Sequence, residues 1–196
     1  MQHSAPGSQP AQIIVLKQKF TFITLLTAMF CLLHATTCAA SDHNGNLQAI
    51  SDRLYTSGTL SADQLAALKA TGVTAVIDLR RPAEGIDMLR TAASELDLGY
   101  TNLPMGRALP DAQTMAGIST VISQAAPGKV LLHCASGHRA GIAAALYLQQ
   151  QGSSPEAAVA SAAAAGTRSD GITQLRDHFA RLQSGEAAAT ISSSEQ

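Results

Sequence analysis

The sequence predicts an α/β fold: a parallel four- to five-stranded sheet flanked by helices. Short apolar runs, Val73 to Leu79 and Val130 to His133 above all, alternate with longer stretches of helical spacing. Both runs are apolar almost throughout, as in strands covered on both faces. Turn residues (Gly72, Pro104, Pro127-Gly128, Gly152) punctuate the alternation.

Arg53 to Thr56 alternates enough for a short first strand, after a polar, flexible start from Ser41 to Leu47. Ser61 caps a helix with Gln64 as its capping-box partner, Leu65, Ala66 and Leu68 sharing one face, and Gly72 ends it. Val73 to Leu79 is the second strand, broken by Arg80-Arg81-Pro82. A helix carrying Leu89, Ala93 and Leu96 is expected over Gly85 to Leu96. Tyr100 to Leu103 is a third strand, stopped by Pro104, and Met105 to Pro110 is a loop. Asp111 reads as the cap of a helix running to Ala125. Val130 to His133 is the next strand. A helix follows from His138 to Gln151, with Ile142, Leu146 and Leu148 as core. Ser154-Pro155-Glu156 is a strong helix start, with Ser as cap and Pro in the first turn. That Ala-rich helix ends at Gly166, and a last one spans Ser169 to Leu182.

The chain has 196 residues, no Trp and a formal net charge of −1, which bounds it to one main domain. No basic stripe marks a nucleic-acid surface. Lys17 and Lys19 precede an apolar run from Phe20 to Leu33, then small residues ending Cys38-Ala39-Ala40. Positive, apolar, then small is the layout of a signal peptide over 1–40, which predicts a periplasmic or secreted protein. The alternative is an uncleaved anchor, since Phe20 to Ala40 approaches the roughly 20 residues that span a bilayer. Contact with a membrane is expected only through such a leader. Cleavage removes Cys31 and Cys38 and leaves Cys134 alone, so no internal disulfide is expected. Gly185 to Gln196 is small and polar, which predicts a disordered tail over 186–196. Nothing in the sequence speaks to oligomeric state.

His133-Cys134-Ala135-Ser136-Gly137-His138-Arg139-Ala140-Gly141 carries the chemistry. A strand delivers Cys134 to its carboxyl end and a helix starts just beyond. The loop amides of Ala135, Ser136, Gly137 and His138 form an anion-binding nest, and the helix adds its positive end. Arg139 supplies a planar fork for two oxygens. Such a field also favours a thiolate, the attacking form of Cys134. Glycine at 137 and 141 allows close backbone approach. The side chain of His138 is expected to be exposed on the loop.

This run resembles the His-Cys-x-x-Gly-x-x-Arg loop of the cysteine-dependent protein tyrosine and dual-specificity phosphatases. The likeness extends upstream through Leu54-Tyr55-Thr56-Ser57-Gly58, Leu60 to Leu65 and Gly72 to Arg80, where the chain is similar to the small bacterial phosphatase-like group. It makes 41–185 a phosphatase-like domain. It implies a metal-free, cofactor-free reaction on a phosphorylated protein or a small phosphate ester, with Cys134 as nucleophile and Arg139 as transition-state clamp. His133 would be a supporting residue that holds the loop.

Two departures stand out. The family usually places Ser or Thr after the Arg, to stabilise the departing thiolate; here it is Ala140. The family's general acid is an Asp roughly thirty residues before the Cys. Asn102 to Met105 occupy that distance without a carboxylate. Asp111 is the nearest candidate, although a plain helix cap explains it equally well, and Asp78 and Glu84 are weaker alternatives. Both departures keep two other functions open: a rhodanese-like sulfurtransferase carrying sulfur on Cys134, and a non-catalytic anion-binding module.

Overall fold

The computed structural model describes residues 47–185. The expected leader over 1–40 and tail over 186–196 lie outside them. Five strands, β1 (Gln48–Ala49), β2 (Leu54–Ser57), β3 (Val73–Asp78), β4 (Gly99–Asn102) and β5 (Lys129–His133), form one sheet in the order β1-β2-β5-β3-β4. Among the described residues six helices flank it: α1 (Ala62–Ala70), α2 (Asp87–Glu95), α3 (Ala112–Gln124), α4 (His138–Gln150), α5 (Pro155–Ala164) and α6 (Ser169–Gln183).

Four strands run parallel, as expected. The sheet is nonetheless mixed, because β1 adds an antiparallel edge, pairing Gln48 with Thr56 and Ala49 with Tyr55. β1 falls between the expected flexible start and the strand expected from Arg53, where two residues carry no periodicity to read. The expected second helix begins two residues late: Pro82–Glu84 forms a separate 3-10 turn, closed by Gly85 at φ 76°.

The caps form as the sequence indicates. Ser61 and Gln64 make the reciprocal capping box, Asp111 accepts from the Thr114 amide, and Ser154 from that of Ala157. Alternation along the strands divides the core between two faces. Val76 and Leu131 point toward α1 and α2, meeting Leu65, Leu68, Leu89 and Ala93. Ile77, Val130 and Leu132 point the other way, toward Met115, Ile118, Ile142, Leu175 and Phe179 on α3, α4 and α6.

Register fixes the position of the site. Ser57 pairs with His133, His133 with Asp78, and Asp78 with Asn102, so four carboxyl ends lie side by side. Ligands in such sheets bind beyond those ends, where the strand order reverses. β5 lies between β2 and β3 at that point. Small residues bring α4 close to α5: a Cβ on Gly141 would lie 2.2 Å from Thr167 Oγ1 and 2.9 Å from the Ala162 carbonyl oxygen.

Gly141→Ala overpacks this contact and is expected to destabilise the protein by about 1–3 kcal/mol, read from urea unfolding midpoints at unchanged m-value.

Candidate active site

Cys134 directly follows β5 and is fully buried. Its amide donates to the Ser57 carbonyl (3.2 Å), and Thr59 donates to the Ala135 carbonyl from both its amide (3.3 Å) and its hydroxyl (2.9 Å). The end of β2 therefore holds the loop from outside. Gly58 faces Ser136, where a Cβ would come within 3.2 Å of the Ser136 carbonyl carbon. Gly137 turns the chain into α4 at φ 86°, and a Cβ there would meet the Ala165 carbonyl oxygen at 2.2 Å. Both the left-handed backbone and the lack of space require glycine. The first intrahelical bond of α4 runs from Gly141 to Gly137. The amides of His138, Arg139 and Ala140 precede it and form the helix's positive end.

The likeness to His-Cys-x-x-Gly-x-x-Arg needs one correction. Four residues separate Cys134 from Arg139 here, where that motif has five, because Arg139 follows Gly137 by two positions rather than three. The ring around the sulfur is one amide smaller.

Arg139 forks onto Glu84: Nη2 donates to Oε1 (2.7 Å) and Nη1 to Oε2 (2.9 Å). Nη1 also reaches the carbonyl oxygens of Leu79 and Met105, both at 3.2 Å. One guanidinium thus joins α4 to the loops after β3 and β4. Glu84 was only a weak candidate acid. The Arg139 hydrogen bond, ahead of opposing burial, holds its carboxyl down at about 2. Arg139 is raised in turn, by Glu84 first and also by the neighbouring Cys134 sulfur.

Asp78 is fully buried and bound by Arg80 through the amide (2.9 Å), Nε (3.1 and 3.2 Å) and Nη2 (2.7 Å), with the Tyr100 hydroxyl donating to Oδ2 at 2.9 Å. Burial pushes this carboxyl up, but the Arg80 hydrogen bonds outweigh it and keep it below its ordinary value. Asn102 Nδ2 donates to the carbonyls of Asp78 (2.7 Å) and Arg80 (2.8 Å), which fixes the exit of β3. Tyr100, Arg80 and Asn102 were not foreseen as site-builders. An Asp ending an apolar strand two residues before an Arg is the signal that would have found the pair. His133 is buried, with Nδ1 3.3 Å from Ser57 Oγ, and burial pushes its pKa well below the ordinary 6.5.

Asp111 serves the structure as the α3 cap, 2.7 Å from the Thr114 amide. That hydrogen bond lowers its pKa, and the residue is not among those lining the cleft. His138 is not exposed as expected but 3% accessible. Its ring fits because a Cβ on Gly171 would sit 2.7 Å from Cε1, and Nδ1 accepts from the Arg168 amide at 3.1 Å. Ala140 is fully buried. The cleft itself holds about 350 Å³ and is lined by Ala135, Ser136, His138 and Arg139 together with Met105 and Gly106.

Among the groups that make the fold acid-sensitive are His133 and Glu84. Protonating buried His133 favours the unfolded chain, so stability falls as pH drops below 6.5. The Glu84 contribution is complete above its ordinary 4.5 and is lost as pH falls toward about 2. Urea midpoints measured against pH are expected to decline through both windows, and Glu84→Gln is expected to make the decline in the lower one shallower, leaving the part that Asp78 contributes.

Residues 50–190, well over half of the chain, match the profile of the tyrosine phosphatase family. Among solved structures the chain is similar to a Cys-to-Ser form of TpbA from P. aeruginosa in complex with phosphotyrosine, at 23% identity over 74% of this chain and 99% of that one, TM-score 0.56. It is similar to the DUF442 protein of Shewanella putrefaciens CN-32 at 20% identity, over 72% and 91%, TM-score 0.56. It is also similar to kinase-associated phosphatase with its catalytic-site cysteine replaced by serine, at 17% identity, over 74% and 96%, TM-score 0.55. At these identities the likeness is one of fold. No curated protein sequence matches the chain. By the extent of the family match, on a fold shared with these phosphatases, the chain belongs to the tyrosine phosphatase family and is a protein tyrosine phosphatase-like hydrolase.

Proposed function

We propose that this protein is an exported, cysteine-dependent phosphatase that hydrolyses phosphotyrosine or small phosphate esters through a phosphocysteine intermediate. The observation that carries it is the convergence on one cleft of the Cys134 loop, the amides opening α4 and a guanidinium held in place by Glu84. Export rests on the leader pattern of the sequence.

The thiolate of Cys134 attacks phosphorus; an S–P bond forms and the P–O bond to the leaving group breaks. The loop amides and Arg139, whose guanidinium also faces the Cys134 sulfur, stabilise the equatorial oxygens. Water then cleaves the S–P bond, releasing inorganic phosphate and the thiolate. The three candidate acids are all engaged: Asp111 caps a helix, Glu84 pairs with Arg139, and Asp78 is sealed under Arg80. A general acid typically contributes 10²–10⁴-fold, so aryl phosphates, whose leaving groups depart unprotonated, should outrun alkyl phosphates by about that factor. The second step meets Ala140 where a hydroxyl would support the departing sulfur. A hydrogen bond to a charged group is worth about 1.5–3 kcal/mol, so Ala140→Ser should speed dephosphorylation roughly 10- to 100-fold, seen as a smaller burst-to-steady-state ratio. An unchanged ratio argues against this account.

The short loop favours a second reading, sulfur transfer. One amide fewer suits a single sulfur atom better than three phosphoryl oxygens, and no acid is needed. The thiolate would attack the outer sulfur of thiosulfate, forming S–S and expelling sulfite; cyanide would then remove that sulfur as thiocyanate and restore the thiolate. Phosphate release from para-nitrophenyl phosphate, lost in Cys134→Ser, supports the phosphatase. Cys134-dependent thiocyanate without phosphate release replaces it. Silence in both assays, with vanadate still bound, leaves an anion-binding module.

A further inference from the structure

Three arginines surround the mouth of the cleft, and the chemistry above uses none of them. Arg81 comes from the β3–α2 connection, Arg107 from the β4–α3 loop and Arg168 from the α5–α6 loop. All are exposed. Arg81 shares Glu84 with Arg139, its Nε 3.1 Å from Oε2, and Arg168 stands 3.7 Å from Asp170. Arg107 makes no hydrogen bond or ion pair among the described residues. Four guanidinium groups therefore meet two carboxylates around one small cleft, in a chain of formal net charge −1.

That excess exceeds what one phosphoryl group on the Cys134 loop would need, since Arg139, the amides and the α4 terminus already serve it. The cleft, at about 350 Å³, lies at the lower end of the roughly 300–1,000 Å³ of small-molecule sites. Among the described residues Met105 is the only large apolar side chain lining it, and no Phe or Tyr ring does. An aryl group would find little to pack against, whereas a compact polyanion would be surrounded by fork-shaped donors.

We propose that the physiological substrate is a small phosphate ester bearing a second phosphate, one phosphate on the Cys134 loop and the other bound by Arg107 and Arg168. This rests on the phosphatase reading and names its substrate class. It also selects, among the esters that reading admits, against phosphotyrosine.

The test is calorimetric titration of the Cys134→Ser protein with fructose 1,6-bisphosphate, fructose 6-phosphate and phosphotyrosine. The bisphosphate is expected to bind about tenfold tighter than the monophosphate at low salt, the size of two exposed ion pairs. The advantage shrinks as salt screens the rim. Arg107→Ala or Arg168→Ala alone cuts it to about threefold and the double variant abolishes it, while Arg90→Ala, on α2 and outside the cleft, retains it. Equal affinity for the two sugar phosphates, or tighter binding of phosphotyrosine, overturns the proposal. Phosphate release from para-nitrophenyl phosphate by the unaltered protein is scored separately: its absence overturns the hydrolytic reading, while the binding preference decides the substrate class.

Discussion

Arg139 is nearly enclosed, and its charge is satisfied only because Glu84 meets it with both carboxylate oxygens. Removing two such ions from water carries a penalty that direct attraction alone repays poorly; the added hydrogen bonds from Arg139 to the Leu79 and Met105 carbonyls close the gap. The arrangement has a geometric consequence. The loops after β3 and β4 and the start of α4 share one guanidinium, so none can shift without uncoupling the others. The cleft next to the sulfur is the space those three segments leave.

A second buried pair makes this possible. Asp78 and Arg80 lock the last residue of β3 to the chain just beyond it, and Asn102 ties the same stretch to β4. The turn carrying Glu84 therefore leaves the sheet in a fixed direction. Tyr100 completes the acceptor set of Asp78, as a fully buried carboxylate requires. The acidic residues near the sulfur are thus structural, and the unspent charge of the region is positive. Small residues do the remaining work. Gly58, Gly137 and Gly171 let the Cys134 loop, the α5–α6 loop and the His138 ring approach closely. The result is a site of backbone amides and guanidinium groups with few apolar walls, suited to small, highly charged ligands.

Much of the scaffold was legible in the residues themselves. The runs Val73 to Leu79 and Val130 to His133 could be read because strands buried on both faces are apolar almost throughout. The caps at Ser61, Asp111 and Ser154 could be read because an N-cap is a local interaction within three residues. The same logic placed Cys134 at a strand end, ahead of a helix terminus. β1 could not be read, since a two-residue edge strand is defined by its partner. The smaller ring was also in the sequence, as a plain count from Cys134 to Arg139.

The sequence by itself determined the order of elements, the placement of a thiol and an arginine in one short loop, and the absence of a hydroxyl after that arginine. Only the tertiary structure decided which charges meet. Glu84 and Arg139 are 55 positions apart, and no local pattern distinguishes this glutamate from any other on the surface. His138 became buried because Gly171, on another helix, leaves room for its ring. Arg81, Arg107 and Arg168 became one rim because three loops end at the same edge of the sheet. Local propensities act over a few residues, whereas electrostatic partnership depends on distance in space, and that is set only when the sheet order brings those loops together.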